Sequence, residues 1–105
     1  MQELAKKTGI QVKILNLIIK TLQVYGANKA VIYGSRGRGD WSDPSDIDIA
    51  YWGDNVDEGD LSWAMRGLPT IHKIKIVDFD GLSNEKLKQN ILRDGLLIYG
   101  CNKKS

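Results

Sequence analysis

The sequence predicts an α/β (α+β) domain in which helices pack on a small mixed β-sheet of three to four strands. The predicted elements follow the order helix, strand, short turn, strand, helix, strand, helix, which is typical of layered folds of this kind. The chain has 105 residues, of which 42% are hydrophobic and 27% charged, so one domain with a modest core is expected. We expect this domain to span residues 1–105, with loosely ordered ends at residues 1–9 and 101–105.

The N-terminal half predicts a helix, a strand and a short turn. Residues 11–25 predict an amphipathic helix, because apolar side chains recur at the spacing i, i+3, i+4 and i+7. These side chains belong to Leu15, Ile18, Ile19 and Leu22. Gly26 is placed to end the helix. The apolar residues 30–33 predict a strand buried on both faces, and residues 35–38 predict one helical turn that glycines keep short.

The C-terminal half predicts two further strands and two helices. Alternating apolar residues predict a strand over about residues 46–52, and helical spacing predicts a helix over residues 61–68. A third strand is expected over residues 74–79. Ser83 is placed to cap the last helix, and the apolar residues 96–99 are expected to pack back on the domain.

The composition excludes several other classes of protein. No run of about 18 apolar residues is present, so no membrane span is expected. The amphipathic N-terminus lacks the apolar centre of a signal peptide, and we therefore expect a cytoplasmic protein. One cysteine (Cys101) and one histidine (His72) do not provide a thiolate or imidazole zinc site. The net charge of +2 is too small to indicate direct binding to nucleic acid.

Charge is distributed unevenly along the chain. Residues 1–42 carry a net charge of +5, residues 43–60 carry −7, and residues 61–105 carry +4. An acidic segment next to a basic loop can attract a cation and a polyanion together. Some acids of this segment are expected to form only a solvated loop. They are Asp54, Asp57, Glu58 and Asp60.

Residues 31–51, VIYGSRGRGDWSDPSDIDIAY, combine features that suit the binding of a nucleoside triphosphate. Gly34 has no Cβ and therefore allows a phosphate to approach the backbone closely. Ser35 adds a hydroxyl at the start of the following turn, where backbone N–H groups can also face an anion. Arg36 and Arg38 bring guanidinium groups that match phosphate oxygens. We expect these residues to bind the nucleotide.

Asp46 and Asp48 are the candidate metal ligands. Because they lie two residues apart on a predicted strand, their carboxylates project from the same face. Carboxylate oxygens of this kind hold Mg²⁺ or Mn²⁺ in sites for phosphoryl or nucleotidyl transfer. Taken alone, the arginines could belong to a surface loop, and Asp-x-Asp is common on exposed strands. The stretch has neither the third glycine of a dinucleotide fingerprint nor the Gly-Lys-Ser/Thr of a Walker A loop.

The stretch GSRGRGDWSDPSDIDIA resembles the signature of minimal nucleotidyltransferases, small members of the DNA polymerase β superfamily. NEKLKQNILRDGLLIYG is similar to the closing helix and the Gly-x-x-Ile-Tyr ending of that family, so the resemblance covers about residues 10–100. It implies an α/β core with a mixed sheet. It also implies that Gly34 and Ser35 bind the triphosphate and that Asp46 and Asp48 hold Mg²⁺.

The resemblance also implies a biological role. Members of this family often act as the antitoxin of a two-gene module whose partner is an all-helical HEPN-domain ribonuclease. Some of them transfer AMP from ATP onto a tyrosine of that partner. We therefore expect ATP or another nucleoside triphosphate as substrate and a HEPN-type protein as partner.

Lys75 departs from the pattern of the family. The family usually places a third carboxylate in the next strand, and Lys75 stands at that position. Asp78 matches a second, usually noncatalytic acid, and strand alternation places it on the face opposite Lys75. The exchange changes the formal local charge from −1 to +1, which disfavours a metal ion there. Lys75 is expected either to turn to solvent or to contact phosphate, in an enzyme that is catalytically weak or uses one metal.

Two functions follow from these observations. In the first, the chain is a Mg²⁺-dependent nucleotidyltransferase that modifies an acceptor hydroxyl on a HEPN-type partner. In the second, it is a binding module of the same fold that neutralises a helical partner by contact alone. The wide apolar stripe of the first helix, together with Trp41, Trp52 and Trp63, would then serve the interface, although tryptophan is also common in cores.

Overall fold

The computed structural model describes residues 1–43 and 45–100 of the chain. Its helices are α1 (Gln2–Thr8), α2 (Val12–Val24), α3 (Gly34–Arg38), α4 (Glu58–Arg66) and α5 (Glu85–Asp94). Its strands are β1 (Lys29–Tyr33), β2 (Ile47–Trp52), β3 (Ile74–Asp78) and β4 (Leu96–Tyr99), and a 3₁₀ turn (Phe79–Gly81) follows β3. The expected loose end at residues 101–105 lies outside the described residues.

The strands of the described residues form one sheet in the order β3-β2-β1-β4. β1 pairs antiparallel with β2 and with β4, whereas β2 and β3 run parallel. Antiparallel pairing allows the short segment with α3 to join β1 to β2, while α4 forms the longer crossover that a parallel strand requires. The predicted mixed sheet is confirmed, and the apolar residues expected to pack back on the domain form the edge strand β4.

Helices cover the two faces of the sheet unequally. Residues of α1, α2 and α4 cover one face and form a large apolar core with the strands. Fully buried members of this core include Leu15, Ile18, Leu22, Ile32, Ile49, Leu61 and Met65. Burial of such a side chain stabilises the fold by roughly 1.5–3 kcal/mol. A smaller cluster of Val31, Ala50 and Ile91 lies on the other face, beneath α5. No helix among the described residues has the length and apolar character needed to cross a membrane.

The alternation predicted for β2 is confirmed. Ile47, Ile49 and Tyr51 point into the large core, whereas Ala50 belongs to the cluster on the other face. Asp48 shares the direction of Ala50 because side chains alternate along a strand. The sequence therefore places a carboxylate on the sparsely covered face of the sheet, next to the C-terminal end of β1.

The N-terminal residues differ from the loosely ordered segment that the sequence indicates. Residues 2–8 form α1, and Thr8 at its end is completely buried. The Thr8 hydroxyl donates to the Leu4 carbonyl at 2.6 Å and accepts from the Ile10 N–H at 3.3 Å. Leu4 and Ala5 pack against the large core, so this short helix is held by tertiary contacts rather than by its own propensity.

The acidic segment also contributes more structure than a solvated loop would. The Asp57 side chain caps α4 by accepting a hydrogen bond from the Asp60 N–H at 3.0 Å. The Glu58 carboxylate accepts from the Tyr51 hydroxyl and from the Asp78 N–H, each at 3.2 Å. The expectation of a merely solvated loop is wrong for Asp57 and Glu58, because both acids satisfy donors of neighbouring elements.

The cap of the last helix lies one residue later than predicted. Asn84, not Ser83, is the N-cap of α5, and its side-chain oxygen accepts from the Leu87 N–H at 3.1 Å. Both residue types cap helices well, so the sequence alone does not distinguish between these neighbours.

Candidate active site

The short helix α3 begins directly at the end of β1. Gly34 starts it with a φ of 69°, a left-handed value that a residue with a side chain rarely adopts. A Cβ atom on Gly37 would lie 2.5 Å from the Ile32 carbonyl oxygen and 2.6 Å from that of Asp94. The missing side chains therefore allow α3 to pack against both β1 and the end of α5. The predicted single helical turn is confirmed.

Gly34 lies directly against Asp48. A Cβ atom on Gly34 would be 2.9 Å from Asp48 Oδ2, which is closer than real Cβ contacts allow. Any side chain at this position would displace the carboxylate. The glycine that opens α3 and the aspartate of β2 therefore lie side by side, and both are among the site residues predicted from the motif.

The sheet register brings a row of polar side chains together across three strands. Tyr33 of β1 is opposite Asp48 of β2, and Asp48 is opposite Lys75 of β3. Asp46 lies just before β2, and its Oδ2 is 3.1 Å from Lys75 Nζ. The two candidate metal ligands thus lie near each other, with the ammonium group of Lys75 beside them.

Lys75 follows neither of the two alternatives expected from the sequence. Its ammonium group contacts a carboxylate, so it neither turns fully to solvent nor depends on a phosphate for a partner. Asp78 pairs in register with Tyr51, whose side chain points to the opposite face from that of Asp48. Asp78 therefore does not replace the missing third carboxylate, as alternation predicts.

The pKa shifts indicate that burial works against the ionised form of Asp48. Burial raises the pKa of Asp48, and the nearby Asp46 raises it further, while Lys75 opposes the shift. The hydrogen bond to Asp46 raises the pKa of Lys75, and the charges of both aspartates add to this effect. Burial and Asp48 raise the pKa of Tyr33. A cation bound at Asp48 would stabilise its ionised form, so this donor set fits a divalent ion.

Arg36 does not have the expected position of a phosphate-binding residue. Its side chain is only 1% exposed. Its guanidinium donates to the Thr8 carbonyl at 2.8 Å, to the Asp43 carbonyl at 3.1 Å, and to the Ser45 carbonyl at 2.9 and 3.1 Å. These bonds fasten the loop after α3 to the end of α1. The structure contradicts the predicted contact between Arg36 and the nucleotide, because the guanidinium N–H groups already donate to backbone carbonyls.

Arg38 remains accessible at the end of α3. Its guanidinium donates to Asp40 and to Asp94, each at 3.2 Å, and its side chain is 44% exposed. Because the Arg38 side chain is partly exposed and solvent screens its charge, a phosphate can replace these ion pairs. Asp94 also accepts from Arg93 at 3.0 Å and connects α3 to α5. The sequence reasoning did not single out Asp94, although it lies within the closing-helix motif.

The three tryptophans differ in their surroundings. Trp41 donates its Nε1–H to the Lys7 carbonyl at 2.8 Å and packs on Gly9, so it fastens the loop to α1. Trp52 packs against Phe79 with ring centroids 4.6 Å apart. Trp63, on α4, is 72% exposed. Among the described residues, Trp63 is therefore the tryptophan available for an interface.

The described residues contain no group of three or more His, Cys, Asp or Glu side chains arranged to hold a metal ion. Two carboxylates are present at the candidate site, Asp46 and Asp48, with Lys75 beside them. The two metal ligands expected from the sequence therefore lie near each other, and no third carboxylate joins them among the described residues.

Comparison with known proteins identifies the family of the chain. The sequence matches the polymerase beta nucleotidyltransferase family over residues 4–104. The chain belongs to this family. The match includes the α3 turn and both aspartates, and it extends through α5 and β4. No curated protein is a significant sequence match.

Solved nucleotidyltransferase structures share the fold. A toxin–antitoxin structure with AMP-PNP has a TM-score of 0.70 and 24% identity over 84% of this chain and 74% of its own. Tri-AMPylated Shewanella oneidensis HEPN toxin in complex with MNT antitoxin gives a TM-score of 0.65 and 22% identity, covering 85% and 71%. A minimal nucleotidyltransferase gives a TM-score of 0.63 and 24% identity, covering 78% and 86%. At such identities the similarity establishes the fold.

Proposed function

We propose that this chain is a Mg²⁺- or Mn²⁺-dependent nucleotidyltransferase that transfers a nucleoside monophosphate, AMP from ATP, to an acceptor hydroxyl. The observation that carries the proposal is the contact of Gly34 with Asp48, beside Asp46, at the start of α3. At this contact, the backbone of a residue without a side chain lies next to two carboxylates. The membership of the polymerase beta nucleotidyltransferase family supports the reaction type.

Each residue of the site has a proposed role. Gly34 leaves room for the triphosphate next to the backbone, and Ser35 offers its hydroxyl and the N–H groups of the turn. Asp46 and Asp48 hold the divalent ion, which neutralises phosphate charge and makes the leaving group better when it is bound. Arg38 exchanges its ion pairs with Asp40 and Asp94 for contacts with phosphate oxygens. The acceptor oxygen forms a bond to the α-phosphorus and its proton passes to water, while the bond from the α-phosphorus to the bridging oxygen breaks to release pyrophosphate.

The proposed acceptor lies on a HEPN-type helical protein, and the chain would act as its antitoxin. The similarity to structures of toxin–antitoxin complexes, one of them with a tri-AMPylated HEPN toxin, supports this choice. It agrees with the resemblance of the motif to minimal nucleotidyltransferases.

A transfer assay tests the proposal. The purified chain is mixed with labelled ATP, Mg²⁺ and the helical protein encoded beside it, and label on either protein is measured. We expect label with the native chain, and at least a hundredfold less with Asp46→Asn plus Asp48→Asn, on the scale of about 2.7 kcal/mol of lost transition-state stabilisation. A matched control, Asp54→Asn plus Asp80→Asn, removes the same charge at exposed positions and should leave the transfer unchanged.

The contact between Lys75 and Asp46 favours a second candidate function, neutralisation by binding alone. The ammonium group occupies one oxygen of a candidate metal ligand at 3.1 Å. The exposed Trp63 offers an apolar anchor of the type found at interfaces. This alternative predicts a stable complex with no label, unaffected by loss of Asp46 and Asp48 and weakened by Trp63→Ser.

A further inference from the structure

The Lys75 ammonium group contacts Asp46, one of the two carboxylates that the proposed function assigns to a metal. Lys75 is opposite Asp48 in the parallel pairing of β2 and β3, and its Nζ is 3.1 Å from Asp46 Oδ2. We propose that Lys75 is a resident cation that takes the place of one metal ion, so that this site binds a single divalent ion. The inference rests on the proposed function for the identity of the site.

The balance of charge supports one ion. The two aspartates and Lys75 together carry a formal charge of −1 when all three are ionised. One divalent ion brings this group to +1, which suits an anionic triphosphate. A second ion would bring it to +3 with an ammonium group in contact with a metal ligand, and like charges at such distances repel strongly outside bulk water. The second ion of a two-metal site is therefore disfavoured.

The division of contacts between the two aspartates supports the same conclusion. Among the ion pairs formed by the described residues, none includes Asp48. Lys75 instead occupies Asp46, whose side chain is 38% exposed. Asp48 is thus left to the divalent ion, while Asp46 is shared between the ion and the ammonium group.

The strand carrying Lys75 keeps the ammonium group near the two aspartates. β3 pairs in register with β2 from Ile74 to Asp78, so the Cα atom of Lys75 is fixed beside that of Asp48. A lysine stem reaches several ångströms from this anchor, and its head is half exposed, with 52% of the side chain accessible. The group can therefore adjust when an ion binds without leaving the neighbourhood of the two acids.

Counting bound Mn²⁺ by electron paramagnetic resonance tests the inference directly. The intact chain is titrated with Mn²⁺ in the presence of a non-hydrolysable ATP analogue, and bound ions per chain are measured. We expect one ion for the native chain and for Lys75→Arg, which keeps the charge, and two ions for Lys75→Asp, which supplies a third carboxylate. Without nucleotide, Lys75→Met should bind Mn²⁺ about tenfold more tightly than the native chain, since a competing charge is removed. Lys20→Met, on an exposed face of α2, should leave Mn²⁺ binding unchanged.

The outcomes separate this inference from the proposed function. Two ions on the native chain, or an unchanged Mn²⁺ affinity in folded Lys75→Met, would overturn the role of Lys75 and leave the transfer reaction standing. One ion on the native chain together with absent transfer would support the resident cation and contradict the enzyme. A native chain that binds no Mn²⁺ with the analogue would contradict both.

Discussion

Replacing Arg36 with methionine should destabilise the fold by about 3 kcal/mol. The substitution removes four hydrogen bonds to three carbonyls, at 2.8–3.1 Å, and leaves a shorter, unbranched apolar side chain. The carbonyl of the fully buried Thr8 would be left without this donor, which costs about 1–3 kcal/mol. Those of Asp43 and Ser45 regain water and cost about 0.5–1.5 kcal/mol each. Burial lowers the pKa of Arg36, because the buried charge itself opposes folding. Removing this charge offsets part of the lost free energy of unfolding.

Urea unfolding and thermal melting measure this loss. For a domain of this size, about 3 kcal/mol corresponds to a decrease in Tm of about 12–24 °C. The matched control is Arg38→Met, which removes the ion pairs of a side chain that is 44% exposed and should lower Tm much less than Arg36→Met. Equal stabilities for the two variants would refute the claim that Arg36 fastens the loop to α1.

Three further predictions concern Gly34, Asp48 and Asp94. Gly34→Ala should lower Tm and weaken Mn²⁺–triphosphate binding, because a left-handed φ costs about 1–2 kcal/mol and the added Cβ displaces the Asp48 carboxylate. Gly67→Ala, at a φ of −81°, is the control, and equal nucleotide binding by the two variants would contradict the contact. Asp48→Asn should stabilise the fold at neutral pH, because the raised pKa means that ionised Asp48 opposes folding, and this gain should shrink as pH falls through the raised pKa and vanish below about 3.8. Asp94→Asn should do the reverse: hydrogen bonds from two arginines lower the pKa of Asp94, so its stabilisation is present above about 3.8 and is lost as pH falls through the lowered pKa. Equal signs for the two variants in urea unfolding across pH would contradict these assignments.

Local periodicity was sufficient to predict the elements that form the site. Helical spacing gives α2, and alternation in β2 places Asp48 on the sparsely covered face. The glycines after β1 predict the short α3 turn. These features depend on neighbours within a few residues, so the sequence contains the information directly.

The errors concern contacts between residues far apart in the chain. Arg36 looked like a phosphate ligand because its loop is basic, but one of its acceptors, the Thr8 carbonyl, lies 28 residues away. The same contact joins the end of α1 to α3, and α1 has too few apolar residues to give a clear helical pattern. The pair of Lys75 with Asp46 depends on the register of β2 and β3, which neither strand alone determines.

The intact mass of the partner tests the central claim most directly. A HEPN-type helical protein, the proposed partner, is co-expressed with the native chain or with Asp46→Asn plus Asp48→Asn, and its mass is measured after purification of the complex. The nucleotidyltransferase account predicts a mass increase of one or more nucleoside monophosphates with the native chain only. An unmodified partner in a stable complex with the native chain would contradict it.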